Sequence, residues 1–229
     1  MIYEKEVIDP NWISLFKVGA YSAIIMFCFI LIQIIIYSIW MPPDTVEEIF
    51  ELFQKNWFLG LLSLDLLYIL DCILLVLIYL SLYLLLKKQA PVLMLISTVL
   101  GIIGVASYFS SNTAFEMLSL SQQYARTSIE VERFILIAAG KGMLETYTGT
   151  AFDIYYVLNT VVLFLYFPAM LKSRYMGKSV AYTGLAAGIL MIIPSSAGQL
   201  GMIFSLASLV PWLIWLVLVN RKLLRAAKI

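Results

Sequence analysis

Two carboxylates interrupt an apolar run that is otherwise mostly Leu, Ile and Tyr. They are Asp65 and Asp71 in LLSLDLLYILDCILLVLIYLSLY, Leu61 to Tyr83. A third, Asp153, stands in a similar run, GTAFDIYYVLN. At the centre of a spanning helix an aspartate costs about 2.5–3.5 kcal/mol on insertion scales. Such groups normally face a bundle interior or a wet cavity. There they bind an ion or ligand, or they pair with an internal donor. The candidate ligand-binding set is Asp65, Tyr68, Asp71, Asp153, Tyr156 and Asn159.

On a helical wheel of about 100° per residue, Asp65, Tyr68, Cys72, Tyr79 and Tyr83 fall within about 60° of one another. Asp71 lies about 60° beyond Tyr68. The remaining face is Leu and Ile and suits lipid. Depth follows from the rise. Along straight helices Asp65 stands about 33 Å, and Asp71 about 24 Å, above Lys87; Asp153 is about 28 Å above Lys172. In a core of about 30 Å these carboxyls lie in the outer third or at its boundary, where insertion costs less than at the centre. They could cap outer helices or meet Arg126, Arg133 or Lys141 from an outer segment.

DLLYILDC from Asp65 and DIYYVLNT from Asp153 both read D-x-x-Y-[IV]-L-[DN]-x, and a basic loop follows each span. The two run in the same direction. Leu, Ile and Tyr are so common here that only the Asp, the Tyr and the Asp/Asn carry weight, so the match leaves duplication open.

The elements that hold these residues follow from composition. The chain has 229 residues, 62% hydrophobic and 13% charged. Soluble domains have about 45–50% apolar and about 25% charged residues. An excess this large, in runs longer than about 18 residues, marks a polytopic all-α membrane bundle. Net charge is +1, which offers no basic surface for nucleic acid. Cys28 and Cys72 form no metal or disulfide pattern. The absence of histidine removes His-ligated zinc or haem and a His general base, and no cofactor is implied.

Six spans are expected in one transmembrane domain covering 1–229: about 18–40, 57–86, 91–110, 149–171, 180–194 and 200–219. The second is unusually long. The fifth is short, ending at Pro194 before the polar SSAGQ. The N-terminal stretch lacks a cleavable signal. Asp9–Pro10 reads as a helix cap, with Trp12, Ile13 and Phe16 on a short surface helix. Lys and Arg are distributed eleven to four between the two sides. The side with eleven includes both tails, so both termini are expected in the cytoplasm of a cell with an inner membrane.

Two outer segments, about 41–56 and 111–148, are more than turns. PPDTVEEIFELF carries a capping box, Thr45 with Glu48. Val46, Ile49, Phe50 and Phe53 recur at i, i+3, i+4, i+7, an amphipathic helix. Thr127 and Glu130 form a second candidate box. One or two helices are expected there, the last running toward the fourth span. AAGKGMLET fails as a phosphate-binding loop, because Ile135 and Gly142 replace the required Gly and Ser/Thr. Gly184 and Gly188, like Gly101 and Gly104, read as close helix packing. Pro211 predicts a kink in the sixth span.

The stretches SNTAFEMLSLSQQYA, GTAFDIYYVLN and PSSAGQLGMIFSLASLVPWLIWL resemble a bacterial integral-membrane family known only as domain of unknown function 4386. The resemblance covers roughly Trp57 to Asn220. It implies a multi-helix bacterial membrane protein, with no catalytic or binding residues to carry over.

Two functions follow. In one, the protein binds or transports a small-molecule or cation ligand at an outer polar pocket between spans two and four. In the other, it is a structural, sensory or partner-regulating membrane protein whose aspartates are paired internally. An enzyme is disfavoured. No nucleophile or base stands in a recognisable role. Leu64, Leu70 and Phe152 precede the aspartates, unlike the Tyr-Asp and Gly-x-Gly-Asp contexts of intramembrane aspartyl proteolysis. The lipid bilayer is the expected partner, joined by a small-molecule or cation ligand on the first of these functions, and no protein partner is legible.

Overall fold

The computed structural model describes residues 10–228. Glu4, Lys5, Glu6 and the Asp9 cap lie outside the described residues. A 3-10 turn, Pro10–Trp12, leads into α1, Ile13–Ile39. There follow α2 (Val46–Lys55), α3 (Trp57–Ser63), α4 (Leu66–Leu86), α5 (Pro91–Ser111) and α6 (Ala114–Arg126). The chain continues as α7 (Glu130–Tyr147), α8 (Thr150–Lys172), α9 (Lys178–Leu190) and α10 (Gly198–Ala226). No strand occurs among the described residues.

Five helical runs are long and apolar enough to cross a membrane: Pro10–Ile39, Leu66–Leu86, Pro91–Arg126, Glu130–Lys172 and Gly198–Ala226. Their surfaces agree. α5 exposes Val92, Leu95, Ile96, Val99, Ile102 and Ile103 while burying Ser97 and Thr98. α10 exposes Leu200, Ile203, Leu206, Val210 and Ile214. Apolar faces of this extent are what a lipid-embedded helix presents.

Three sequence expectations change. The run at 57–86 is not one helix: α3 ends at Ser63 and α4 begins at Leu66. Thirty helical residues would extend about 45 Å, well beyond a core of about 30 Å, whereas the 21 residues of α4 match it. The expected fifth span is the 13-residue α9, which rises only about 20 Å. Trp12, Ile13 and Phe16 do not form a separate surface helix. Trp12 ends the 3-10 turn and Ile13 and Phe16 start α1, with Phe16 buried and the Lys87 ammonium 6.0 Å from the Trp12 ring centre.

By contacts the chain divides into two compact units. The first gathers, of the described residues, 10–27, Cys72–Gly104 and 156–228. Polar side chains tie its helices. Ser81 Oγ donates to Leu15 O at 2.9 Å, where a Cβ on Gly19 would collide with it. Asn220 Nδ2 donates to Ala20 O at 2.8 Å. The small-residue reading of Gly184 and Gly188 holds. A Cβ would come to 2.9 Å from Trp215 Nε1 at Gly184 and 3.1 Å from Leu163 Cβ at Gly188. Trp215 is fully buried and stacks on Trp212 at 4.9 Å. α10 runs unbroken through Pro211.

The second unit comprises Cys28–Asp71 and Val105–Tyr155. Its hydrophobic core joins Val46, Ile49, Phe50 and Phe53 of α2 to Leu61, Leu64, Ala114 and Met117. Leu136, Ile137, Met143 and Leu144 of α7 pack against it. The capping box forms as read: Thr45 Oγ1 accepts from Glu48 N, and the Glu48 carboxylate accepts from Thr45 N. Asn56 alone separates α2 from α3, and its Oδ1 caps α3 through Leu59 N at 3.1 Å. Gly60 permits the tight turn-back, since a Cβ there would sit 2.4 Å from the Phe53 ring. The Thr127–Glu130 box does not form. Ile129 is the N-cap residue, and Thr127 Oγ1 bonds Ile129 N and the Glu132 carboxylate instead. The failed phosphate-loop segment is ordinary α7 helix, with Gly140 against Val46.

Candidate functional site

The break in the second span is built around Asp65. Leu64 has φ −107° and ψ 43°, and Asp65 has φ +63°, the one non-glycine residue with positive φ among those described. Asp tolerates this left-handed region better than most residues, because its short polar side chain can bond locally. The carboxyl is held from three helices. Tyr37 of α1 donates to Oδ1, Tyr147 of α7 donates to Oδ2, and Tyr108 of α5 reaches Oδ2 at 3.5 Å. A carboxylate offers about four lone-pair sites, so three hydroxyls nearly saturate it.

The break also frees backbone acceptors, because the helical i+4 donors are displaced. Two carboxamides take their place. Gln33 Nε2 donates to Leu62 O at 3.1 Å, and Asn112 Nδ2 donates to Leu64 O at 3.0 Å. Asn112 Oδ1 meanwhile accepts from Ala114 N at 3.2 Å, starting α6. Gln33 and Tyr37 are one turn apart on α1, so one helical face grips both sides of the break.

A tyrosine cluster adjoins this centre. The rings of Tyr68 and Tyr108 lie 4.9 Å apart, edge to face, and those of Tyr108 and Tyr155 5.3 Å apart. The hydroxyls of Tyr68 and Tyr155 are 2.8 Å apart. Edge-to-face geometry suits the ring quadrupoles, and the hydroxyls are engaged, Tyr68 with Tyr155 and Tyr108 with Asp65.

The six residues singled out in the sequence are divided between the two units. Asp65, Tyr68, Asp71 and Asp153 belong to the second unit, Tyr156 and Asn159 to the first. Tyr156 bonds Ser205 Oγ at 2.6 Å, and Tyr79 donates to Asn159 Oδ1. Asp153 lies in the first turn of α8, where a negative charge suits the helix dipole. The two DxxY segments thus differ in backbone: Asp65 sits at a break, while Asp153 sits inside a continuous helix.

Asp71 is different again. It is only 2% exposed, and its Oδ1 has no hydrogen-bond partner among the described residues. On α4 it shares the buried face with Leu75, Ile78 and Leu82, at i, i+4, i+7 and i+11, while Leu70 and Ile73 are exposed. The wheel puts Asp71 at the edge of a polar stripe. Packing puts it at a core position where the pattern calls for an aliphatic residue.

Sequence reasoning missed Tyr37, Tyr108, Tyr147, Gln33 and Asn112. A signal existed. Tyr37 and Tyr108 fall near the expected outer ends of their spans, and Tyr147 just before the expected start of the fourth. Tyrosines there read as an interfacial belt, which hides their inward role. Arg133, considered as a carboxylate partner, instead donates to Thr127 O at 3.0 Å and lies 5.0 Å from the Tyr124 ring centre.

Comparison with family models, curated proteins and solved structures returned no match to this chain.

Proposed function

We propose that this chain is a multi-pass protein of a bacterial inner membrane, related to the family it resembles, whose outward α2/α3/α6/α7 cluster is a structural or partner-regulating cap. α9 would be a sixth, short crossing, and both termini would be cytoplasmic, following the Lys and Arg bias. The observation that carries the reading is the internal pairing of Asp65 with hydroxyls from α1, α5 and α7. That pairing gives the costly carboxyl a structural role in holding α7. The cluster also has its own core, yet α7 leaves Val131, Phe134 and Ile135 exposed at 68%, 74% and 58%. These residues share one helical face at i, i+3 and i+4, a surface suited to docking. Photo-crosslinking from positions 131 and 134 in native membranes tests it. A discrete protein adduct, lost on Ile135→Glu, is expected; lipid adducts alone would overturn the docking role. For orientation, single cysteines at Lys55 and Lys141, in a background lacking Cys28 and Cys72, should react with an impermeant maleimide on intact cells. Cysteines at Lys88 and Lys172 should not.

A second reading, binding or transport of a small cationic or polar ligand through Asp65, Asp71 and Asp153, is favoured by Asp71 Oδ1, which is buried with no hydrogen-bond partner among the described residues. Asp65→Asn with Asp153→Asn should then abolish cation-dependent uptake into liposomes, and unchanged uptake removes it.

A further inference from the structure

We infer that the break at Ser63–Asp65 is a binding site for an alkali-metal cation. Two side-chain oxygens around it are fully buried and have no hydrogen-bond partner among the described residues: Gln33 Oε1 and Ser63 Oγ. Ser63 as a residue is 6% exposed. Both oxygens belong to groups already fixed beside the break. The Gln33 amide is pinned by its Nε2 to Leu62 O, the residue before Ser63. One turn on, Tyr37 holds Asp65, two residues after Ser63. Gln33 Oε1, Ser63 Oγ and Asp65 Oδ1 therefore belong to one short stretch of α1 and the break facing it. Oδ1 takes one hydroxyl, from Tyr37, and keeps a lone pair. An unpaired buried acceptor costs about 1–3 kcal/mol, and two at one helix break ask for a donor or a cation.

The chemistry selects the class of ion. All three groups offer hard oxygens, which suit alkali and alkaline-earth cations over zinc or copper. The site holds one carboxylate. A monovalent ion neutralises it, whereas a divalent ion would leave a net positive charge buried there without a second carboxylate, at high cost. Calcium sites typically supply more anionic oxygens than this. A broken membrane helix is also where side-chain and backbone oxygens become available for coordination. The ion would be structural, closing the break between α3 and α4, and it requires neither docking nor transport.

The test is the thermal midpoint of the purified full chain in detergent, titrated with sodium, potassium or lithium chloride. N-methylglucamine chloride holds ionic strength constant. The expected result is a saturable rise with at least one alkali cation, following ligand linkage. Ser63→Ala removes an oxygen that makes no bond in the fold, so it should fold normally while raising the half-saturating concentration roughly tenfold, the equivalent of about 1.4 kcal/mol. Asp65→Asn should abolish the response. The same midpoint in all four salts would overturn the site, leaving the two oxygens to buried water. So would a cation response unchanged in Ser63→Ala, or a stronger response to calcium at matched ionic strength.

Discussion

Asp65→Asn is the sharpest perturbation of the latch between α7 and the spans. Asn keeps the side-chain shape and the tolerance for positive φ, so backbone strain changes little. It removes the charge and one acceptor oxygen. Interhelical hydrogen bonds in membrane proteins average about 0.6 kcal/mol and reach about 1.7. Charge-assisted bonds are roughly twice as strong as neutral ones. The contacts from Tyr37 and Tyr147 are close, so each is worth about 1–3 kcal/mol on that scale. Tyr108 at 3.5 Å sits at the edge of bonding and should contribute less than about 0.5 kcal/mol. The assay is reversible unfolding in mixed micelles under rising SDS, followed by tryptophan fluorescence, on Tyr→Phe variants in the native and Asp65→Asn backgrounds. Tyr147→Phe should cost about 1–3 kcal/mol in the native background and much less in the Asp65→Asn background, a coupling of at least about 1 kcal/mol. Additivity within about 0.3 kcal/mol for both Tyr37 and Tyr147 would refute the latch. So would a larger coupling for Tyr108 than for Tyr147.

Asp71→Leu should raise the SDS midpoint, by about 1–3 kcal/mol, because it replaces an unpaired buried carboxyl with the aliphatic residue the α4 face calls for; a loss of stability would show that the carboxyl has a partner. Gly60→Ala should destabilise by about 1–3 kcal/mol through the Phe53 ring, whereas Gly142→Ala, with nothing within 4 Å of its Cβ, should be neutral or slightly stabilising. Thr45→Ala removes the α2 capping box and should cost about 1 kcal/mol, seen as faster proteolysis within residues 41–56 and unchanged cleavage in α10. Equal rates of cleavage in α2 before and after that change would contradict the capping role.

Local pattern was enough for much of this protein. Apolar run length predicts helices long enough to span, because a bilayer core fixes how many residues a crossing needs. The capping box and the spacing of Val46, Ile49, Phe50 and Phe53 predict α2 and its buried face, because both depend on residues within two turns. The rarity of carboxylates in apolar runs singles out Asp65 and Asp71. Tertiary structure decided the rest. No local rule places a left-handed residue inside LLSLDLLYIL. The break exists because Gln33, Asn112 and three tyrosines, distant in sequence, supply the hydrogen bonds that a continuous helix would have made for itself. The wheel does separate the two faces of α4: its polar stripe is buried at Cys72 and Tyr79, and Leu70 and Ile73 are exposed as read. What a wheel does not supply is a partner, and packing leaves Asp71 Oδ1 among aliphatic side chains with no hydrogen-bond partner among the described residues. Sequence therefore determined which residues are costly, and only the assembled helices determined that Asp65 is satisfied and Asp71 is not.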